Sequence, residues 1–159
     1  MHWKVRQSFL TRAEIFAKLG RRELKALAKS CSEASYKDND TLCHQGERGI
    51  AAFLIVSGRV RVETEMDDVE IVTVAELDQG TMVGELSIID GAERVATIRA
   101  AGDVEALVLT QWSMLALLKS HPSIAAAMLP VIVKRFRETA GELRHKHHES
   151  DHARASAYH

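Results

Sequence analysis

The feature that most constrains how this chain folds is a series of short strand-like segments between residues 32 and 110. Within Arg59–Glu63, polar and apolar residues alternate strictly, which is typical of a strand with one buried face. Many short strands separated by turn residues predict an antiparallel sandwich or jelly-roll barrel. The strand-like runs are Ala51–Val56, Arg59–Glu63, Glu70–Glu76, Ala96–Ala100 and Val104–Leu109.

The residues on either side of this zone have helical periodicity instead. Before it, apolar residues recur at three- and four-residue spacings on both sides of Gly20, which predicts two short amphipathic helices within residues 1–31. After it, Thr110 is a candidate N-cap, and a break at His121-Pro122 divides residues 111–148 into two helices.

The last predicted helix contains Pro130, whose ring clashes with the preceding turn and predicts a kink. Residues 149–159 are polar and predict a frayed, flexible tail. The three zones together predict one α+β domain over residues 1–148, an antiparallel β jelly-roll barrel flanked by N-terminal and C-terminal helices.

Composition excludes several classes of function. The 159 residues suit one domain, and the net charge of −1 gives no overall basic footprint for nucleic acid. The longest apolar run, Ile124–Val133, is too short to cross a bilayer, and no apolar signal core follows the N-terminus. We therefore expect a cytoplasmic protein that binds neither nucleic acid nor membrane.

The stretch from Val83 to Thr97 carries the residues with the most specific chemistry. It begins at a glycine turn, continues into a short predicted helix, and separates the carboxylate of Glu85 from the guanidinium of Arg94 by nine residues. An arginine fork suits a compact phosphate, a carboxylate accepts a hydroxyl, and N–H groups at a helix start add phosphate contacts.

This stretch resembles the phosphate-binding cassette of cyclic nucleotide-binding domains, the family of the catabolite activator protein and the regulatory subunits of cAMP-dependent kinase. The matching motifs are Gly84-Glu85-Leu86-Ser87 and Arg94-x-Ala96-Thr97. Further segments match the family pattern in order, so the resemblance covers about Phe9 to Leu143. They are Ile15–Leu19, Gln45-Gly46-Glu47, Phe53–Val60, Gly80–Gly84, His121-Pro122 and Arg135-Phe136.

The resemblance implies a role for each matched residue. Glu85 would bind the ribose 2′-hydroxyl and Arg94 the cyclic phosphate, while backbone N–H groups near Leu86 and Ala96 complete the phosphate cradle. Gly84 would allow close backbone approach. The implied nucleotide-binding residues are Gly84, Glu85, Leu86, Ser87, Arg94, Val95, Ala96 and Thr139.

Two of these positions bear on the base. Thr139 aligns with the threonine of the last helix that contacts adenine in the family, although the serine that follows there is Ala140 here. The residue after the arginine is Val95 here, whereas in the family a threonine at this position favours cGMP. Because valine has no hydroxyl, we expect cAMP as the ligand and cGMP as the less favoured one.

The resemblance implies a stand-alone, non-enzymatic sensor. Nucleotide binding would reposition the last helix and so control a protein effector that the sequence does not identify. A homodimer through that helix is a further expectation, with a seam formed by Met128, Ile132, Phe136 and Leu143.

Several alternatives stay open at this point. The chain could be a ligand-free interaction module in which Glu85 and Arg94 form a structural salt bridge. It could also be the sensor fragment of a transcription regulator, although no helix-turn-helix fits in the sixteen residues after Leu143. A cupin-type metalloenzyme needs several barrel histidines, and the barrel zone contains only His44.

Two further features are interpreted as structural. The histidines from His145 to His152 are expected in a solvated tail rather than in a metal site, and no metal site is predicted. Arg12, Lys18, Arg21 and Arg22 form a small basic patch that we interpret as a solvated face. No residue arrangement for nucleophilic catalysis is evident.

Overall fold

A computed structural model describes residues 1–67 and 69–157, with side chains as far as residue 155. Helices lie at both ends of the chain and strands in the middle, as the sequence predicts. The helices are α1 (Trp3–Leu10), α2 (Arg21–Ser30), α3 (Ser87–Asp90), α4 (Gln111–Ser120) and α5 (Pro122–Ala157), with a 3₁₀ turn at Glu14–Phe16. The strands are β1 (Ser32–Tyr36), β2 (Thr41–Cys43), β3 (Ala51–Met66), β4 (Glu70–Asp78), β5 (Met82–Val83) and β6 (Thr97–Thr110).

The six strands form one antiparallel, barrel-like sheet built on β3 and β6. The order β1-β6-β3-β4 forms the main path, β2 pairs with β6, and β5 pairs with β3. The pairing of β3 with β6 shifts register on both sides of Ser57, next to Gly58, whose φ of 88° suits glycine. The α+β fold and the antiparallel jelly-roll architecture are thus confirmed.

The alternation of buried and exposed residues in β3 follows the sequence pattern only in part. Val60 is fully buried and Arg59 is exposed, as a half-buried strand requires. Glu63, in a position predicted to face solvent, is buried because it accepts hydrogen bonds from Arg61 and Arg99. Two arginines from neighbouring strands therefore hold a carboxylate inside the sheet surface.

The main hydrophobic core lies between the sheet and the helices. It collects the apolar faces of α1, α2 and α4, the 3₁₀ turn and the start of α5, where Ile124, Met128 and Val131 are buried. Beyond Val131 the helix leaves the core, and most of its residues are exposed. A smaller cluster, centred on Ile55, Val60 and Ile98, lies within the sheet.

The position of α5 corrects part of the expected dimer seam. Met128 is 2% exposed and is not available to a second copy, whereas Ile132 packs against the main core and keeps only part of its surface exposed. The apolar residues that α5 leaves exposed are Leu129, Val133, Phe136 and Leu143. Spacing alone did not identify the buried side of this helix, because both sets of residues have helical periodicity.

The end of α5 also differs from the prediction. The sequence analysis ends the domain at residue 148 and expects a frayed tail, whereas the helix continues through Pro130 as far as Ala157. Polarity does not oppose helix formation, and residues 149–157 include the helix formers Glu149, Arg154 and three alanines. Residues 158 and 159 of the predicted tail lie outside the described residues.

Within the described residues, no single helix combines the length and apolar composition of a membrane span. Helices α4 and α5 meet that test only when they are taken together, across a bend of 112°.

Candidate functional site

A cavity of about 470 Å³ opens between the sheet and the turn that contains α3. Its apolar wall is formed by Cys43, Val62, Val83 and Ile98. Seven of the eight predicted site residues line it, and these are Gly84, Glu85, Leu86, Ser87, Arg94, Val95 and Ala96. The local stretch predicted from the sequence therefore does form one concave surface.

Gly84 determines how closely the turn approaches its neighbours. It follows β5 with a φ of 81°, in the left-handed region that glycine adopts without strain. A side chain at this position would also overlap the guanidinium of Arg94 and approach the carbonyl of Ala51 to 3.2 Å. Glycine is thus required both for the backbone conformation and for space around Arg94.

Helix α3 places backbone N–H groups beside the cavity. It has four residues, begins after Leu86 without a side-chain cap, and ends at Gly91 in the left-handed conformation. The N–H groups of Leu86 and Ser87 lie in or next to its first turn, where a helix offers no earlier carbonyl of its own to accept them. Such groups can donate to an anion in the cavity.

Arg94 is a buried cation with an incomplete set of hydrogen bonds. The residue is 7% exposed, and its guanidinium donates to the backbone carbonyl of Ala51. Its Nε is buried and has no hydrogen-bond partner among the described residues. A buried guanidinium with unused donors and no paired carboxylate is suited to bind an anion that enters the cavity.

The backbone of Arg94 is held in place from both sides. Its N–H donates to the carbonyl of Glu47 at 2.7 Å, and its carbonyl accepts from the N–H of Gly46 at 2.9 Å. The Gln45-Gly46-Glu47 segment, which the sequence analysis matched without assigning a role, therefore fixes the arginine that faces the cavity.

Glu85 connects the cavity to α5. Its carboxylate, 13% exposed, pairs with the guanidinium of Arg135, and Arg135 also lies 3.8 Å from the carboxylate of Glu14. The partner of Glu85 is thus Arg135 and not Arg94, which contradicts the alternative of a structural salt bridge between the two cassette residues. The carboxylate still borders the cavity, so it can accept a ligand hydroxyl.

Val95 and Thr139 occupy different positions with respect to the cavity. Val95 lines the cavity but is 86% exposed, at its mouth. Thr139 is exposed on α5, and its hydroxyl donates to the carbonyl of Arg135 at 3.0 Å. The structure therefore does not bring Thr139 to the cavity, because Thr139 lies on the mostly exposed part of α5 beyond Arg135.

Sequence reasoning gave no role to Arg135 or Cys43. The signal for Arg135 was available, since it lies four residues after Val131 and seven after Met128, on a buried helix face where a charge needs a partner. Cys43 forms part of the cavity wall, and burial raises the pKa of its thiol, which therefore stays neutral beside Arg94.

Comparison with known proteins yields a family and several similar chains. Residues 33–121 match the cyclic nucleotide-binding domain. The chain is 35% identical to the cyclic AMP receptor protein of Thermus thermophilus over 109 residues, which is 68% of this chain and 50% of that protein. It is 34% identical over 95 residues to lysophospholipase nte1 of Aspergillus oryzae, covering 60% of this chain and 6% of the lysophospholipase.

Solved structures give the same result. The N-terminal domain of a transcriptional regulator from Streptomyces coelicolor superposes with a TM-score of 0.77 at 29% identity, covering 85% of this chain and 94% of that domain. The catabolite activator protein of Thermus thermophilus gives 0.71 at 30% identity, with coverage of 82% and 62%. The chain thus spans half of the curated receptor, and a small part of the lysophospholipase.

Proposed function

We propose that this chain, which belongs to the cyclic nucleotide-binding domain family, binds cAMP in the cavity beside α3 and acts as a non-enzymatic sensor. The observation that carries the proposal is Arg94, a buried cation that pairs with no carboxylate of the described residues and faces a cavity large enough for a small ligand. A buried charge is costly unless something compensates it, and the cyclic phosphate is the compensating group that we assign.

The phosphate is bound by the guanidinium and by the backbone. Arg94 would donate charge-assisted hydrogen bonds to the phosphate oxygens. The N–H groups near Leu86, Ser87 and Ala96 would donate from the side of the turn. Gly84 supports this arrangement because it leaves room for the guanidinium.

The ribose is bound by Glu85. One carboxylate oxygen is hydrogen bonded to Arg135, and the other is free to accept the 2′-hydroxyl. Glu85 is then in contact with both the ligand and α5, so occupation of the cavity changes the environment of Arg135. This shared carboxylate is the route by which we propose that the nucleotide repositions the C-terminal helix.

The base lies at the open mouth of the cavity. Val95 has no hydroxyl with which to recognise a guanine, which favours cAMP over cGMP. Thr139 contacts the adenine only if α5 moves toward the cavity, so we propose this contact for the bound state alone. Nucleotide binding then moves α5, and the movement in turn adds the contact of Thr139 with the adenine.

The exposed side of α5 is the surface that the movement would present. Leu129, Val133, Phe136 and Leu143 follow one another at four-, three- and seven-residue spacings, which places them on one stripe. We propose this stripe as the seam for a second copy or for the effector, in place of the seam that the sequence analysis expected. Sedimentation of the purified protein with and without cAMP distinguishes the two partners, because the sedimentation coefficient rises only if a second copy binds.

Calorimetric titration of nucleotide-free protein with cAMP, and separately with cGMP, tests the proposal. We expect one site per chain and tighter binding of cAMP. Binding of neither nucleotide would overturn it and would favour the alternative of an interaction module without a ligand.

A second candidate is a sensor unit within a longer regulator. It is favoured by the coverage of the relatives, since the chain matches only half of the Thermus receptor protein and 6% of the fungal lysophospholipase. In this case cAMP binds in the same cavity, but the response of α5 is transmitted to a covalently joined domain, which in turn alters the affinity for cAMP. Comparison of cAMP affinity between this chain and the full-length gene product distinguishes the two, because a coupled domain changes the affinity.

A further inference from the structure

A second concave surface lies between α1 and α2, on helices that the nucleotide site does not use. This surface, the α1/α2 groove, has a volume of about 650 Å³. Four of its six lining residues are cationic, and the other two supply an indole and an amide. The lining residues are Trp3, Lys4, Gln7, Arg21, Arg22 and Lys25.

Ammonium groups converge on the indole of Trp3. The Nζ atom of Lys25 lies 4.8 Å from the ring centroid, and those of Lys4 and Lys29 lie at 5.8 and 5.9 Å. The interaction of each cation with the ring quadrupole holds the lysines in place. The result is a fixed group of positive charges at one end of the groove.

These cations lack the carboxylate partners that other arginines of the protein have. Arg59 pairs with Asp78 at 2.7 Å, and Arg99 pairs with Glu63 at 3.1 Å. Across residues 1–67 and 69–155, by contrast, no salt bridge involves a cation of the α1/α2 groove.

The spacing on α2 adds like-charge repulsion. Arg21, Lys25 and Lys29 follow one another at four-residue intervals, so they share one face of the helix and repel one another. The one carboxylate of α2, Glu23, accepts a hydrogen bond from Ser123 of α5. Hydrogen bonds from its own backbone N–H and from Ser123 lower its pKa, and Arg22 lies close enough for its charge to help lower it. In the described part of the chain Glu23 forms no salt bridge with Arg21, Lys25 or Lys29. The lysines thus pack on Trp3, but no salt bridge among the described residues offsets the mutual repulsion of these cations.

We propose that the α1/α2 groove binds an acidic peptide segment of a partner protein. Several carboxylates along an extended segment would pair with the dispersed point charges of the lysines and with the two arginine forks, Arg21 and Arg22. This replaces our interpretation of Arg21 and Arg22 as part of a solvated face.

The geometry favours a peptide over other polyanions. Single-stranded nucleic acid binds by stacking bases on open aromatic faces, whereas the ring of Trp3 is already covered by lysines. Stable attachment to an anionic bilayer needs an apolar anchor in addition to basic charges, whereas Trp3, the aromatic side chain of the groove, is half-buried and packs against the main core. A concave cationic groove matches carboxylates spaced along a chain.

The emission of Trp3 gives a direct test. The chain has two tryptophans, and Trp112→Phe removes the other, which is 85% exposed and does not line the groove. Titration of this variant with a synthetic peptide of alternating glutamate and glycine should change the emission in a saturable way. Raising the salt concentration from about 0.15 M to about 1 M should abolish the change, because salt screens exposed pairs.

Charge substitutions locate the site. In the same background, the triple variant Arg22→Gln, Lys25→Gln and Lys29→Gln should bind the peptide about tenfold more weakly, since each exposed ion pair contributes a factor of about two. Its cAMP affinity should stay unchanged, which separates this proposal from the nucleotide site.

A matched control changes the net charge equally but elsewhere. The triple variant Lys119→Gln, Arg137→Gln and Lys146→Gln removes one arginine and two lysines from α4 and α5, and it should bind the peptide as the parent does. Equal weakening in the two triple variants, no emission change with the peptide, or tighter binding of a single-stranded oligonucleotide or of phosphatidylserine vesicles would overturn the proposal. A failed cAMP titration leaves it intact.

Discussion

Among the residues whose side chains the structure describes, two charged residues are buried, Glu63 in the sheet and Arg94 in the cassette, and their surroundings differ. Glu63 is 8% exposed and accepts hydrogen bonds from Arg61 at 3.3 Å and Arg99 at 3.1 Å. Arg94 is 7% exposed, donates to a single carbonyl, and keeps a buried Nε without a partner in the described part of the chain.

This difference is the reason why we assign a structural role to Glu63 and propose a ligand-binding role for Arg94. Taking a charge out of water costs several kcal/mol, and the fold recovers that cost at Glu63 through two opposite charges. At Arg94 the fold leaves the cost uncompensated and keeps a cavity next to the charge. We infer that the sheet uses Glu63 to join β3 to β6, whereas the cassette holds Arg94 ready for an external anion.

The largest expected effect concerns Arg94. Arg94→Ala should weaken cAMP binding by about a hundredfold or more, because the phosphate loses two charged hydrogen bonds. The free energy of unfolding should change little or rise, since an uncompensated buried cation is removed. Calorimetry and denaturant unfolding measure the two quantities, with exposed Arg59→Ala as the control. Unchanged cAMP affinity in Arg94→Ala would contradict the binding role of Arg94 and with it the contrast to Glu63.

The second effect concerns Glu85, the carboxylate at the edge of the cavity. Glu85→Ala should weaken cAMP binding by about 1–3 kcal/mol, the scale of a hydrogen bond to a charged group. The wild-type protein should also bind 2′-deoxy cAMP more weakly than cAMP, by a similar amount. Calorimetry with both nucleotides checks this, and equal affinities would refute the assignment of Glu85 to the ribose.

A third, smaller effect should appear in stability rather than in binding. Glu63→Gln should lower the free energy of unfolding by about 1–2 kcal/mol, because Arg61 and Arg99 lose their counter-charge. The loss is less than for a fully buried pair, since both guanidinium groups remain over a quarter exposed. Denaturant unfolding measures it, and cAMP affinity should be unaltered. A fall in affinity would show that the two buried charges are coupled.

The smallest effect is the pH dependence of the contribution that Glu63 makes to the free energy of unfolding. Burial alone would raise the pKa of Glu63, but hydrogen bonds from Arg99 and Arg61 outweigh it and hold the pKa below the ordinary value of 4.5. Because the folded pKa is the lower one, the stabilisation is present above 4.5 and is lost as the pH falls through the folded pKa. The difference in unfolding free energy between wild type and Glu63→Gln should therefore shrink at acidic pH, and a constant difference would contradict the assignment.

Much of the fold was predictable because its signals are local. Period-two and helical patterns separate the strands from the helices, and the break at His121 lies between α4 and α5. The burial of Glu63 was not predictable, because it depends on Arg99 from another strand. The buried face of α5 was likewise unpredictable, because Met128 and Leu129 both fit helical stripes and only packing distinguishes them.

The cassette was predictable for the same reason. Its seven cavity-lining residues lie within one stretch, so motif spacing identifies them together. The residues that support or connect the site come from elsewhere. Glu47 holds the backbone of Arg94, and Arg135 meets Glu85 across fifty residues of sequence. The place of Thr139 also depends on tertiary structure, since the direction of α5 determines whether a helical residue reaches the cavity.

Because α5 leaves the core, its exposed part would act as a lever that enlarges a small displacement near the cavity. The helix is anchored as far as Val131, meets the carboxylate of Glu85 four residues later at Arg135, and ends at Ala157. At 1.5 Å per residue, the short arm from Val131 to Arg135 is about 6 Å long and the long arm to Ala157 is about 39 Å. A displacement of about 1 Å at Arg135 would therefore swing the far end by about 6 Å. In the sensor that we propose, a change no larger than the stretching of one ion pair would become a movement that a partner can detect.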